Sequence, residues 1–428
     1  MGDCMLGIPN SSTAHLAVLV WVSACGARPA PTTTATSSVT GEAKIASEEG
    51  KSVERREPVF DLEPLRIRVI EDESGERRLI HYDARMLLDQ GNDALASGDL
   101  DRAIARYDTL ISEFPESALV VAAVYNAGLA HEGKGEYDRA IARYRAVLAR
   151  QAKGRDSVDA HVRIAMVLSE QARWAAAQET LEEILQRSDL SATDQVECKA
   201  RLGYVLIEQG LYARAERVLS EALAYADSVT RTSHLETDYY VAMASYYLGN
   251  IPHRQALAIE LRVIGPEGDT QLRADVVAKR NLLKLAYDRY VLALRRRNPY
   301  WATAAGYQMS QMFKDLWDDI VLAPTPPHLD QRESVFYVQE VHKFGRELLE
   351  KALEGHQKNV ELAEAYRTST PWSAASRRRV AEISQILAKE SAGELVAPAP
   401  LGRRDTVPDP GQGRVAENEV YVPAPIFL

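Results

Sequence analysis

Few side chains in this 428-residue sequence have the spacing that catalysis requires. The nine histidines are scattered, and none forms the HExxH pair that places two imidazoles on one helix face for zinc. There is no GxSxG nucleophile elbow and no GxxxxGK[ST] phosphate loop. The thiols Cys4, Cys25 and Cys198 build neither a disulfide framework nor a cysteine zinc site. We therefore expect no enzymatic activity, no cofactor and no metal.

Composition and charge favour a helical protein without a nucleic-acid partner. Ala, Leu, Glu and Arg dominate the middle of the chain, and these residues lose little entropy in a helix. The 51 Lys and Arg against 61 Asp and Glu give a net charge of −10, with no long basic stripe to bind phosphates. Acidic pairs such as Asp318-Asp319 are expected on solvated helix faces.

Cys25 is the one thiol with a context for modification. The nine uncharged residues before it, Leu16 to Ala24, are fewer than the ~20 that span a bilayer but suit the core of a secretory signal. The run Val22-Ser23-Ala24-Cys25-Gly26 resembles the lipobox of bacterial lipoproteins. This resemblance implies a signal peptide over 1–24, acylation of Cys25, and anchoring at the outer membrane, facing the periplasm. Because residues 1–15 lack Lys and Arg, a chance apolar run stays the alternative.

Three segments lie outside the helical middle. Residues 25–57 are rich in Thr, Ser, Pro and Ala and are predicted to be a disordered tether. Residues 58–83 alternate polar and apolar side chains around Gly75, which predicts a short β-hairpin or an irregular segment. The Pro- and Gly-rich residues 393–428 are predicted to be a disordered tail.

An internal repeat runs through the middle of the chain. The heptapeptide DRAIARY occurs at Asp101–Tyr107 and again at Asp138–Tyr144, an offset of 37 residues. Both copies follow a Gly-containing turn. A fixed offset of this size is typical of stacked helical repeats, which bury their apolar faces only against each other.

These segments resemble tetratricopeptide repeat (TPR) units, in which helix A and helix B are joined at a tight turn. A small residue in helix A is supplied by Gly91, Gly128, Ala165 and Gly203, and the turn residues are Gly98, Gly135, Ala172, Gly210 and, in a degenerate fifth unit, Gly249. Helix B supplies Ala103 and Tyr107, Ala140 and Tyr144, Ala177 and Leu181, and Ala215 and Leu219. The resemblance implies an all-α right-handed solenoid of about five units over 84–264.

The same resemblance implies a concave surface formed by the A helices, where peptides bind. We expect the following residues to form a peptide-binding groove there: Asn92, Tyr125, Asn126, Arg163 and Tyr204. Asn bonds both N–H and C=O of an extended peptide, and Arg forks onto carboxylates. Local bonding of the asparagines is the alternative. Of the pairs Tyr239/Tyr246 and Tyr240/Tyr247, we expect one in the core and the other at a contact surface.

The 37-residue repeat stops near Asp275, and longer helical runs broken by prolines follow. We expect a C-terminal helical module over 265–392. Its Asn298–Phe313 stretch and Trp372 resemble the C-terminal modules of large TPR proteins from delta-proteobacteria, including myxobacterial envelope proteins.

The sequence thus predicts a non-catalytic interaction scaffold in the bacterial cell envelope. Its partners are expected to be proteins or peptides of an envelope complex, with membrane contact through the lipid. Two alternatives stay open: a cytosolic TPR regulator if the leader is false, and an enzyme with its site in the C-terminal module.

Overall fold

The computed structural model describes residues 64–71, 76–261, 268–325 and 328–398. The predicted signal peptide 1–24, the lipidation site Cys25 and the tether 25–57 lie outside the described residues, as does the predicted tail beyond residue 398. Within the described part, a two-stranded hairpin precedes thirteen helices.

The hairpin consists of β1 (Arg66–Glu71) and β2 (Arg77–Tyr82), paired antiparallel with Val69 opposite Leu79. The face that carries Arg68 and Tyr82 packs on the end of the second helix. There Glu113 accepts hydrogen bonds from Arg68 Nη2 and from the Tyr82 hydroxyl, each at 2.5 Å. The rings of Tyr82 and Phe114 meet edge to face at 6.2 Å between centroids. These contacts attach the hairpin to the first helix pair.

The helices stack as consecutive pairs along the chain. The first four pairs are α1 (Ala84–Ala96) with α2 (Leu100–Glu113), α3 (Val120–Gly133) with α4 (Tyr137–Arg150), α5 (Arg155–Glu170) with α6 (Trp174–Leu185), and α7 (Ala192–Glu208) with α8 (Tyr212–Val229). They are followed by α9 (Tyr239–Leu257), α10 (Gly268–Arg295), α11 (Pro299–Val321), α12 (Gln331–Ala365) and α13 (Pro371–Ser391).

Each pair closes because a small residue in one helix receives a large side chain from the other. A Cβ on Gly91 would lie 2.4 Å from Tyr107 Cε1, and one on Gly128 would lie 2.6 Å from Tyr144 Cε1. Both tyrosines are fully buried. In the first four pairs, the turn between the two helices contains one residue in the left-handed backbone conformation. This residue is a glycine at positions 98, 135 and 210, and it is Ala172, with φ 54°, in the third pair.

The fifth pair differs from the sequence-based prediction. Gly249 is not at a turn, because α9 continues through it and through Pro252. A Cβ on Gly249 would instead lie 2.6 Å from Tyr290 Cδ1 in α10, the same packing as in the earlier pairs. Ala286 and Tyr290 repeat the spacing of Ala103 and Tyr107. Helix α10 therefore packs on α9 as the second helix of the fifth pair. The bounds 84–264 of the array stay a prediction.

The last three helices form a layer that packs on the fifth pair. Helix α11 contacts α9, α10, α12 and α13, and Trp301, Trp317 and Trp372 are fully buried among them. The prediction that Asp318-Asp319 is solvated was wrong for Asp319. Its carboxylate forms a buried ion pair with Lys279 of α10, which also donates to the Ile259 carbonyl at 3.0 Å. A charge pair thus joins α10 to α11.

Candidate functional site

Helices α1, α3, α5, α7 and α9 form the inner layer of the stack. Besides packing on its sequence neighbours, α1 contacts α3, α3 contacts α5, α5 contacts α7, and α7 contacts α9. Successive A helices are therefore adjacent along one side. All five residues that the sequence analysis assigned to a groove lie on these helices.

The asparagines bond to each other across the inner layer. Asn126 Nδ2 of α3 donates to Asn92 Oδ1 of α1 at 2.8 Å, and the Tyr107 hydroxyl donates to the same oxygen at 2.9 Å. Asn126 is completely buried, whereas Asn92 is partly exposed. This geometry is the local bonding that the sequence left open as the alternative, and it fixes the spacing of α1, α2 and α3. Peptide binding by these two residues stays a prediction.

Tyr125 and Arg163 form a second buried network, between α3 and α5. Arg163 Nε donates to the Tyr125 hydroxyl at 3.4 Å, and its Nη1 lies 3.6 Å from Glu132 Oε1. Glu132 also accepts a 2.7 Å hydrogen bond from the Tyr144 hydroxyl. Burial raises the pKa of Tyr125 to about 12, so the phenol stays protonated. The Arg163 guanidinium already faces a carboxylate of the chain itself, and its role in a groove likewise stays a prediction.

Tyr204, the fifth predicted residue, belongs to an aromatic cluster. Its ring lies 5.9 Å from Trp174 and 5.2 Å from Tyr247 between centroids. Tyr246 and Tyr247 are both buried, whereas Tyr239 and Tyr240 are both partly exposed. The prediction that one face of α9 is buried and the other is exposed was therefore wrong. The burial of these tyrosines depends on their position along the helix. The exposed pair lies toward the start of α9.

A narrow cleft opens between α5, α7 and α9. Its lining combines two methionines, a tyrosine, a serine and a guanidinium: Met166, Ser169, Arg201, Tyr204 and Met243. The cleft has a volume of about 10 Å³, which is room for about one water molecule.

Charged side chains lie beside this cleft. Arg201 Nη2 pairs with Glu197 Oε1 at 2.8 Å, and the guanidinium lies 5.6 Å above the Tyr240 ring centroid. Burial, followed by repulsion from Glu197, raises the pKa of Asp159 to about 6. Arg201 thus neutralises Glu197, and neither Asp159 nor Glu197 is among the residues that line the cleft.

The C-terminal module has buried polar contacts but contributes no residue to the lining of this cleft. Lys314 Nζ pairs with Asp318 Oδ1 at 2.7 Å, and Gln311 donates to Asp315 at 2.9 Å. In the described ranges, no group of three or more His, Cys, Asp or Glu side chains is arranged to hold a metal ion. No helix in the same ranges combines the length and apolarity needed to cross a bilayer.

Comparison with known proteins identifies the repeat. Residues 88–156 and 125–192 match the family model described as tetratricopeptide repeat, which covers the first three helix pairs. A comparison with curated proteins gives no match. The match to the family model and the packing of the pairs make the fold an all-α TPR solenoid.

Three solved structures illustrate the similarity. A tetratricopeptide repeat protein from Parabacteroides merdae is 13% identical over 70% of this chain and 98% of its own, with a TM-score of 0.33. YrrB, described as a TPR protein with an unusual peptide-binding site, is 20% identical over 50% of this chain and 92% of its own, with a TM-score of 0.31. A Rap protein complexed with competence and sporulation factor is 15% identical over 72% of this chain and 76% of its own, with a TM-score of 0.34.

The sequence analysis missed Met166, Arg201 and Met243, which line the cleft. Met166 and Arg201 lie one turn of helix from Arg163 and Tyr204 and were accessible to the same positional argument. Met243 was not, because the fifth unit was placed in the wrong register. Met243 lies six residues before Gly249, the small residue of α9, just as Asp159 lies six residues before Ala165, the small residue of α5. This shared spacing is the signal that could have identified Met243.

Proposed function

We propose that this chain is a non-catalytic protein–protein interaction scaffold that binds a peptide segment of a partner on the inner layer of its TPR array. The observation that carries the proposal is the cleft between α5, α7 and α9. Helices from three successive units contribute to it, so one partner segment would contact all three. TPR arrays are interaction folds, and their inner surfaces are extended binding surfaces.

The lining of the cleft favours a partner with an apolar side chain. Met166 is partly exposed, flexible and polarizable, so it adapts to such a side chain. Met243 and Tyr204 also line the cleft but are buried, so they form its apolar wall. An apolar peptide segment fits this lining best.

A matched pair of substitutions tests the inner-layer site. Met166→Glu places a charge in the cleft, whereas Met86→Glu makes the same change at an exposed position of α1. Full-length wild type and both variants, each with unchanged circular dichroism, are used as bait in the native organism with quantitative mass spectrometry. Partners that Met166→Glu loses and Met86→Glu keeps support the site. Equal recovery by all three proteins contradicts it.

We also propose that the scaffold is lipid-anchored through Cys25 at the outer membrane, facing the periplasm, within an envelope complex. The support is the lipobox-like sequence and the Ser/Thr/Pro-rich composition of the segment after it. Cys25→Ser should release the protein from membranes without changing its circular dichroism. Wild type that takes up no fatty-acid label and stays in the cytosol would contradict the anchor and leave the binding proposal intact.

A further inference from the structure

A second cleft, larger than the first, opens between α8, α9 and α10. Its volume is about 230 Å³. Three leucines form its apolar part, Leu223 of α8, Leu248 of α9 and Leu292 of α10, and Leu292 is 47% exposed. The sequence analysis did not recognise it, because α10 was not assigned to the array.

Three arginines of α10 and its C-terminal end line the same cleft, and carboxylates of the chain neutralise two of them. Arg289 pairs with Glu216 of α8 and donates to the Leu248 carbonyl at 3.1 Å. Arg296 pairs with Asp227 at 3.3 Å. Arg295 is exposed and has no ion-pair partner among the described residues. The cleft therefore presents one available guanidinium beside an apolar floor.

The size of the cleft limits what binds there. Pockets for drug-sized ligands are about 300–1,000 Å³, so this one accommodates a side chain or two and not a whole cofactor. The leucines favour an aliphatic or aromatic side chain. The guanidinium of Arg295 favours a carboxylate, which it can bind with two parallel hydrogen bonds. A polyanion such as RNA is disfavoured, because phosphate binding needs several free cations.

We propose that this cleft is a second partner-binding site, which takes an acidic, apolar peptide segment. The apolar side chain packs on Leu223, Leu248 and Leu292, and a neighbouring Asp or Glu binds Arg295. Most of this cleft is built by α10 and its C-terminal end, and no residue lines both clefts, so the scaffold can hold two different segments at once.

A phage-displayed random peptide library, panned on the immobilised full chain, tests the site and needs no identified partner. The enriched peptides are synthesised, and their affinities are measured by fluorescence anisotropy. Arg295→Glu should weaken binding by at least about tenfold. Arg280→Glu, the same change on an exposed part of α10, should change affinity by less than about twofold. Leu292→Ser should also weaken binding, without any change in charge.

The site is supported if the enriched peptides combine Asp or Glu with Leu, Ile or Phe and depend on both Arg295 and Leu292. It is overturned if no acidic peptide is enriched, or if the enriched peptides bind Arg295→Glu as well as wild type. Arg295-dependent binding of poly(U) RNA without peptide binding would also overturn it. Circular dichroism and thermal melting of each variant show that a loss of binding is not a loss of fold. Peptides that depend on Met166 and not on Arg295 support the inner-layer site and count against this one.

Discussion

Replacing Asp159 by asparagine removes a carboxylate that the fold holds beside another acid. The pKa of Asp159 is raised from its ordinary 3.8 to about 6 by burial and then by Glu197. The folded chain therefore takes up this proton at a higher pH than the unfolded chain. Stability contributed by protonated Asp159 is fully present below about pH 4 and is lost as pH rises through about 6. At neutral pH the ionised carboxylate is destabilising, and Asp159→Asn should stabilise the protein.

The raised pKa sets the size of the effect. The difference between 3.8 and about 6 corresponds to at most about 3 kcal/mol, at about 1.36 kcal/mol per pKa unit. Asp159 is partly exposed, and screening by solvent reduces this to about 1–2 kcal/mol. Urea denaturation of both proteins at about pH 7.5 and about pH 4 measures it. The gain should be present at the higher pH and absent at the lower one.

Asp138→Asn is the matched control, because it makes the same change at an exposed position of α4. It should alter stability by less than about 0.5 kcal/mol at either pH. Other groups that titrate in this range contribute equally to the free energy of unfolding of both proteins, so their contributions cancel in the difference between wild type and variant. A destabilised Asp159→Asn protein at neutral pH, or a gain that does not change with pH, would refute the reasoning about this carboxylate.

Three further predictions concern the fold. Gly249→Val should destabilise the protein by about 1–3 kcal/mol in urea denaturation, because its Cβ would meet the Tyr290 ring; an unchanged midpoint would contradict the fifth pair. Ala172→Gly should raise the melting temperature, because it removes about 1–2 kcal/mol of left-handed backbone strain and adds only about 0.4–1 kcal/mol of conformational entropy to the unfolded state. A lower melting temperature would contradict this reasoning. Burial lowers the pKa of His356 to about 3, so stability should fall as pH drops from about 6.5 toward 3, and His356→Gln should flatten that decline in acid-denaturation curves.

The first four helix pairs could be predicted from the sequence because each unit keeps its pattern over a fixed distance. Gly91 and Tyr107 are 16 residues apart, and so are Gly128 and Tyr144. In the fifth pair, Gly249 and Tyr290 are 41 residues apart. The same contact forms, but the longer α9, the loop and α10 hide it from a search at constant period. The turn was therefore placed at Gly249, the one glycine near the expected distance.

The groove residues stay a prediction, because the sequence does not specify which side chains of the inner layer are buried between helices. Helix A positions identify which residues face the inner layer, but not how closely adjacent helices approach. Asn126 and Arg163 lie where successive helices touch, and they are buried in contacts between them. Met166 and Arg201 are partly exposed and line a cleft. That difference depends on the packing of successive units, which one sequence does not specify.

The most direct test of the scaffold proposal is hydrogen–deuterium exchange of the full chain with and without a partner recovered in the affinity experiment. The partner is predicted to slow amide exchange in α5, α7 and the first half of α9, the helices that line the cleft of Met166 and Met243. Met166→Glu should abolish that protection. Protection confined to the hairpin or to α11, α12 and α13, with no change in α5, α7 and α9, would contradict the proposal.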